Sequence, residues 1–349
     1  MKMKLTLVLA TFIVLFIAGC AETYGTYTPT NHLSSYTKEV RIALLLPYQK
    51  IGKYSASTTN AVFAYLTTKS KSFELKSYKI ESESKKDIKE ALQKIKDDGF
   101  DYVIAPLTQE GADVVASINP NLNIYFPTIN NANANYGSSL YYGGIDYNAQ
   151  TDLLLKEAAS SLVLFYDESV ISQKLATYEA KQFENNGGKK VIKLSIPSRT
   201  TNLKQYLDKN DEIQRASFFI NTPIIKTGMI MSQLTLYDAN ATNVLSTQIN
   251  YDSLLLSMTQ YEDRKNMIVA NSITKENTLL IETNELLGND IVYDWINYTT
   301  TVGVDYFFSM ITNESREYNI AMQNNQMQYK IELLRPTRYR FINYLSKLE

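Results

Sequence analysis

The 349-residue chain has one cysteine, Cys20, and one histidine, His32. A lone cysteine excludes an intrachain disulfide and any cysteine cluster for zinc or iron-sulfur. A lone histidine excludes an HExxH zinc site. A Ser/His/Asp arrangement has only His32 to draw on, and His32 sits in the Thr/Ser/Asn/Pro-rich stretch Thr23 to Lys38, where it reads as a tether residue. No residue is therefore assigned to catalysis or to a metal, and no cofactor is expected. An excess of either charge is also lacking, with 35 Lys and Arg against 36 Asp and Glu. The densest basic segments, Lys85-Lys86 and Lys189-Lys190, are interleaved with acids or adjoin an expected strand, which argues against nucleic acid as a partner. Neither Gly143-Gly144 nor Gly187-Gly188 has the order of glycines, lysine and hydroxyl that cradles a phosphate, and both read as turns. Tryptophan occurs once, tyrosine 26 times. A residue with an apolar body and a polar tip suits an interface or a wet cleft.

The chain opens with Lys2 and Lys4, followed by the uncharged run Leu5 to Ala18. This is the n-region and h-region of a signal peptide, shorter than the roughly 20 apolar residues that cross a bilayer. Ile17-Ala18-Gly19-Cys20 resembles the bacterial lipobox. The resemblance implies cleavage before Cys20, a lipid on its thiol and a membrane as partner. Ala21 in place of Asp implies, for a Gram-negative host, the outer membrane with the protein facing the periplasm; a Gram-positive host implies the cell membrane.

Beyond the tether, apolar and helical patterns alternate. Glu39 to Pro47 is a β-rich run stopped by proline, and Ser55 to Thr68 has a helical pattern. Ser72 to Ile80 alternates as a strand, and Ser84 to Lys96 places Ile88, Leu92 and Ile95 on one helical face. Phe100 to Ala105 and Asn123 to Phe126 read as strands around a helix from Gln109 to Ile118, before a polar loop from Thr128 to Tyr136. The second half repeats the scheme: helix from Asp152 to Ser160, strand from Ser161 to Tyr166, helix from Gln173 to Asn185, strand from Val191 to Ile196. A polar helix begins over Leu203 to Asp208. Strands at Ala216 to Asn221 and Asn243 to Thr247 flank a helix from Thr227 to Leu236, and no order is assigned directly after them. Asp290 to Met310 is helical, and strands within Gln326 to Leu334 and Tyr339 to Tyr344 are expected to close one lobe. Such a β/α succession calls for parallel-rich sheets flanked by helices.

This order of elements resembles the two-lobed α/β type I periplasmic binding-protein fold. Ile42-Ala43-Leu44-Leu45-Leu46-Pro47, the polar turn Ile51 to Ser55, the helix carrying Phe63, Asp101-Tyr102-Val103-Ile104-Ala105-Pro106-Leu107 and the segment Tyr142 to Leu155 are similar to the C-terminal domain of penicillin-binding-protein activator lipoproteins. The resemblance covers most of residues 39–220. It implies 1–19 as signal peptide, 20–38 as lipidated N-terminus and flexible tether, 39–150 as first lobe, 151–275 as second lobe, and 276–349 as crossover helices and strands completing the lobes. The activator family carries a large helical-repeat domain ahead of this one, and here only a short tether precedes the first strand.

Loops beyond strand carboxyl ends line the crevice of an open α/β sheet. The cleft candidates are therefore Tyr48 and Lys50, Thr108 and Gln109, Asn130 and Asn131 from the first lobe, and Asp167, Glu168 and Thr222 from the second. They suit a small polar ligand, or serve as loop caps. Asp167 and Glu168 are adjacent on one loop and define no glycosidase pair. The expectation is a non-enzymatic, lipid-anchored envelope protein that regulates or scaffolds another envelope protein, such as a peptidoglycan synthase. Two alternatives stay open: a solute receptor for an ABC transporter of amino acids or other small polar ligands, and a structural component of a surface machine.

Overall fold

The computed structural model describes residues 39–131, 139–274 and 277–345. Cys20, the leader and the tether lie outside the described residues, as does most of the Asn-rich run after Asn131. Among the described residues no helix is long and apolar enough to cross a membrane.

The first sheet is built from β1 (Val40–Pro47), β2 (Phe73–Ile80), β3 (Tyr102–Ile104), β4 (Asn123–Phe126) and β5 (Leu140–Tyr142), with β11 (Ala321–Gln323) and β12 (Gln326–Gln328) returning late in the chain. The second contains β6 (Ser161–Tyr166), β7 (Lys190–Ser195), β8 (Ser217–Ile220), β9 (Asn243–Ser246), β10 (Met267–Asn271), β13 (Glu332–Pro336) and β14 (Phe341–Asn343). Strand order is β11-β12-β5-β4-β3-β1-β2 in one and β14-β13-β10-β9-β8-β6-β7 in the other. The first five strands of each sheet run parallel. Each lobe thus reverses its order once, between β1 and β3 and between β6 and β8, and these are the topological switch points.

Side-chain alternation fixes both faces. Ile42, Leu44 and Leu46 of β1 enter one core, Ala43 and Leu45 the other, and all five are buried. Each such Leu or Ile stabilises the fold by about 1.5–3 kcal/mol through its burial. One face of the first sheet is covered by α2 (Lys85–Asp97) and α3 (Gln109–Ile118), the other by α1 (Tyr48–Thr67), α10 (Thr278–Leu286) and α11 (Trp295–Thr312). In the second lobe α4 (Tyr147–Leu154) and α5 (Val170–Asn185) cover one face; α6 (Lys204–Leu207), α7 (Ile224–Leu236) and α8 (Ser253–Met258) cover the other, with the short α9 (Tyr261–Arg264) packed on α7.

The chain changes sheets between β5 and β6, between β10 and β11, and between β12 and β13. Each change leaves a strand parallel to its neighbour at that strand's carboxyl end, so the carboxyl edges of both sheets adjoin the junction. A buried polar network braces it. Gln150 of α4 donates from Nε2 to Ser272 Oγ at 2.8 Å and accepts at Oε1 from the Gln248 N–H at 2.8 Å, and Gln248 Nε2 reaches Asn271 Oδ1 at 3.0 Å.

Several elements depart from expectation. The helix expected from Ser55 starts at Tyr48, directly after Pro47, because Tyr48 to Ile51 contain no turn-forming residue. The helix expected over Asp152 to Ser160 lies at Tyr147–Leu154, where Asp146 caps it by accepting from the Ala149 N–H at 2.9 Å. β5, β10 and α10 had no counterpart in the pattern. The tail serves both lobes, since β11 and β12 join the first sheet and β13 and β14 the second. Gly143 and Gly144 are not turns. A Cβ on Gly143 would lie 1.7 Å from the Tyr125 hydroxyl, and one on Gly144 would lie 2.5 Å from the Asn130 backbone nitrogen.

Candidate functional site

At the first switch point, Thr108 caps α3 by accepting from the Gly111 N–H at 3.3 Å. The loop after β2 is drawn over this cap because Ser84 starts α2, accepting from the Asp87 N–H at 3.2 Å, while Ser82 Oγ donates to Asp87 Oδ2 at 2.6 Å. Glu83, held between them, is 8% exposed. Its Oε1 accepts the Thr108 N–H at 2.8 Å and its Oε2 accepts the Thr108 hydroxyl in a short hydrogen bond. The carboxylate rests against Gly111, where a Cβ would stand 2.7 Å from the Glu83 carboxyl carbon. A helix N-terminus with free N–H groups and partial positive charge is the natural seat of an anion. In this molecule the anion belongs to the chain itself.

The other first-lobe candidates are also engaged. Tyr48 and Lys50, expected on a loop, lie in the first turn of α1. Lys50 pairs with Glu110 at 3.6 Å, and Lys79 Nζ stands 4.5 Å over the Tyr48 ring. Gln109 Nε2 donates to Asp113 Oδ1 at 2.9 Å. Asn130 and Asn131 belong to the junction: Asn130 Nδ2 donates to the Gly144 carbonyl at 3.3 Å, and the Asn131 N–H donates to Gln326 Oε1 at 2.7 Å. A cavity of about 100 Å³ here is lined by Asn130, Asp146, Ser272, Gln326 and Tyr329, among others, and so touches all three crossings.

The second switch point is equally closed in on itself. Asp167 is buried, and its Oδ1 accepts from the Ser169 N–H at 3.0 Å and hydroxyl at 2.6 Å. Glu168 accepts the Ser198 N–H at 2.9 Å, and hydrogen bonding from Ser198 holds its carboxyl below the usual range. Lys226 ties the same loop down through the carbonyls of Pro197, Ser198 and Thr200 at 2.6–3.0 Å. Thr222 is buried, its hydroxyl 2.9 Å from that of Thr227. Beside it, Asn221 Nδ2 donates to Glu179 Oε2 at 2.6 Å, and burial pushes the Glu179 carboxyl up to about 8.

Sequence reasoning missed Glu83 and Glu179, whose partners are 25 and 42 positions away. It also missed the aromatic contacts at the junction. Tyr251 stands 5.0 Å from Tyr293 and 4.9 Å from Phe341, and Tyr147 stands 6.2 Å from Trp295. A cavity of about 350 Å³ is lined by Ser253 of α8, by Ile281 and Glu285 of α10, and by residues 290–293. Ser253 comes from the second lobe, whereas Ile291 is buried in the first-lobe core. The cavity therefore lies between the lobes, and its lining holds two carboxylates and no basic side chain.

No family model and no curated protein matches this sequence. Solved structures do match. A leucine-binding protein from Thermotoga maritima shares 14% identity at a TM-score of 0.60, over 87% of this chain and 97% of that one. A branched-chain amino acid transporter substrate-binding protein from Streptococcus pneumoniae, in complex with isoleucine, shares 9% at 0.61, over 87% and 98%. A branched-chain amino acid ABC transporter periplasmic ligand-binding protein from Burkholderia xenovorans shares 10% at 0.62, over 87% and 94%. At such identities the likeness is one of fold. Two mostly parallel sheets flanked by helices and joined by three crossings give this chain the type I periplasmic binding-protein fold.

Proposed function

We propose that this chain is a non-enzymatic binding protein of the cell envelope, tethered by a lipid on Cys20, that takes a small solute between its lobes and presents it to an ABC-type permease. The carrying observation is the cavity of about 350 Å³ between the lobes, walled by Ser253 on one side and by Ile281 and Tyr293 on the other. A concave site between two rigid bodies, with a few polar groups on apolar walls, is where small ligands bind. The architecture shared with amino-acid receptors over most of the chain supports the same reading. By the lipobox resemblance the anchor is in the outer membrane, or in the cell membrane of a Gram-positive host.

A second reading is favoured by the Glu83–Thr108 contact and by the self-satisfied candidates around both switch points. A crevice already filled by its own side chains suits a scaffold or regulator that engages another envelope protein, such as a peptidoglycan synthase, through its outer surface. Crosslinking in intact cells, followed by capture of the tethered chain and mass spectrometry, separates the two. Recovery of a permease supports the receptor. Recovery of a peptidoglycan synthase without a permease transfers the assignment to the regulator, and recovery of secretion or motor components transfers it to a surface machine.

A further inference from the structure

We propose that Glu83 is a built-in ligand for the first switch point, and that it closes the α3 end of the crevice to solutes that would place a carboxylate there. This deepens the receptor reading and rests on it for the word solute; the internal occupancy stands without it.

Three independent features carry the proposal. The Glu83 carboxylate makes two hydrogen bonds to Thr108, one to the backbone N–H and one to the hydroxyl, so the donors an incoming anion would use at that residue are spent. The group is more than nine-tenths buried, which removes the competing water that would let it exchange readily with an outside carboxylate. Gly111, in the first turn of α3, has no Cβ, and a Cβ there would stand 2.7–3.0 Å from the carboxyl atoms of Glu83. The receiving surface is therefore shaped to the carboxylate that fills it. Lys50 of α1 is already paired with Glu110 of α3 at 3.6 Å, so its charge is not left over for an outside anion. The cavity between the lobes has no lining residue from α3, and there Glu285 and Asp290 repeat the sign. The solute class that fits is neutral or cationic, with no free carboxylate directed at the first lobe.

The experiment uses the full mature chain and no native ligand, with sodium acetate as probe and sodium chloride at equal ionic strength as control. Glu83→Gly empties the seat. Its thermal midpoint is expected to fall by about 5 °C, given that a charge-assisted contact is lost in a chain of this size. Acetate is then expected to restore at least half of that loss saturably and to shift the Thr108 and Gly111 amide resonances, while leaving wild type unmoved. Glu83→Gln keeps the seat filled, and acetate is expected to do nothing there. If Glu83→Gly does not fold, Glu83→Ala is titrated in its place, with the same amide resonances as readout. The proposal is overturned if acetate moves wild type and variant alike, or if neither opened variant responds to acetate. Because none of these readouts involves a transported solute, a failed solute screen counts against the receptor reading and leaves the role of Glu83 to be judged on acetate alone.

Discussion

Asn221 Nδ2 donates to Glu179 Oε2 across 2.6 Å in a fully buried site on the second lobe, and the remaining oxygens of the pair, Glu179 Oε1 and Asn221 Oδ1, have no hydrogen-bond partner among the described residues. A proton on Glu179 Oε1 makes that oxygen a donor in a site where Asn221 Oδ1 is an unmet acceptor. Burial pushes the carboxyl up to about 8 from an ordinary 4.5, against the opposing effect of the Asn221 hydrogen bond. The folded chain therefore keeps a proton that the unfolded chain has released. The stability contributed by this site is full below pH 4.5, falls as pH rises, and is gone above about 8. At about 1.36 kcal/mol per pH unit the full swing is on the order of 5 kcal/mol. Glu179→Gln preserves the pair and removes the titration. Urea denaturation at pH 5, 7 and 9 is expected to show wild type losing stability across the series while the variant stays nearly level. Parallel slopes would exclude a titrating Glu179.

Gly303 sits in mid-helix, where alanine ordinarily stabilises by about 1 kcal/mol. Here the sign reverses. A Cβ on Gly303 would lie 2.2 Å from the Tyr125 ring, and Tyr125 cannot retreat because Gly143 presses its hydroxyl from another side and that hydroxyl donates to the Thr299 carbonyl at 3.0 Å. Gly303→Ala is expected to cost about 3 kcal/mol by overpacking. Adding Tyr125→Leu should recover part of the loss, giving a coupled double-mutant cycle by thermal unfolding; additive effects would place the clash elsewhere.

Asp305 is fully buried on α11, and its carboxylate accepts from the Tyr65 hydroxyl at 2.9 Å, the Glu317 N–H at 2.8 Å and Arg316 Nε at 3.2 Å. It thereby joins α1, α11 and the loop leading to β11. Asp305→Asn leaves Arg316 without its counter-charge and is expected to cost about 3–5 kcal/mol, as when one partner of a buried pair is removed. Hydrogen exchange should then quicken first in residues 316–323. Uniform loss of protection over both lobes would contradict this local role.

Much of the architecture was legible in the sequence, and the gaps have physical causes. The continuous β-rich run Glu39 to Pro47, stopped by proline, and the helical stripe Ile88, Leu92 and Ile95 are local signals, and both lie where expected. β10, Met267–Asn271, is five residues long and β5 only three, too short for a period to announce either. The tail was read as closing one lobe because nothing local tells β12, which pairs with β5, from β13, which pairs with β10. Loops at strand ends could be named, but not what occupies them: Thr108 was legible as a candidate, whereas its partner Glu83 arrives from the preceding crossover. Tyr48 and Lys50 were misplaced because Pro47 ends the strand without opening a loop.

The most direct test of the account is a thermal-shift and calorimetric screen of the mature wild-type chain against matched solutes, each offered as free acid, amide and amine. Saturable stabilisation by a neutral or cationic member is expected, and none by leucine, isoleucine or any free acid whose carboxylate reaches Thr108. Tight binding of a free amino acid, with the Thr108 and Gly111 amide resonances shifting on its addition, would contradict it.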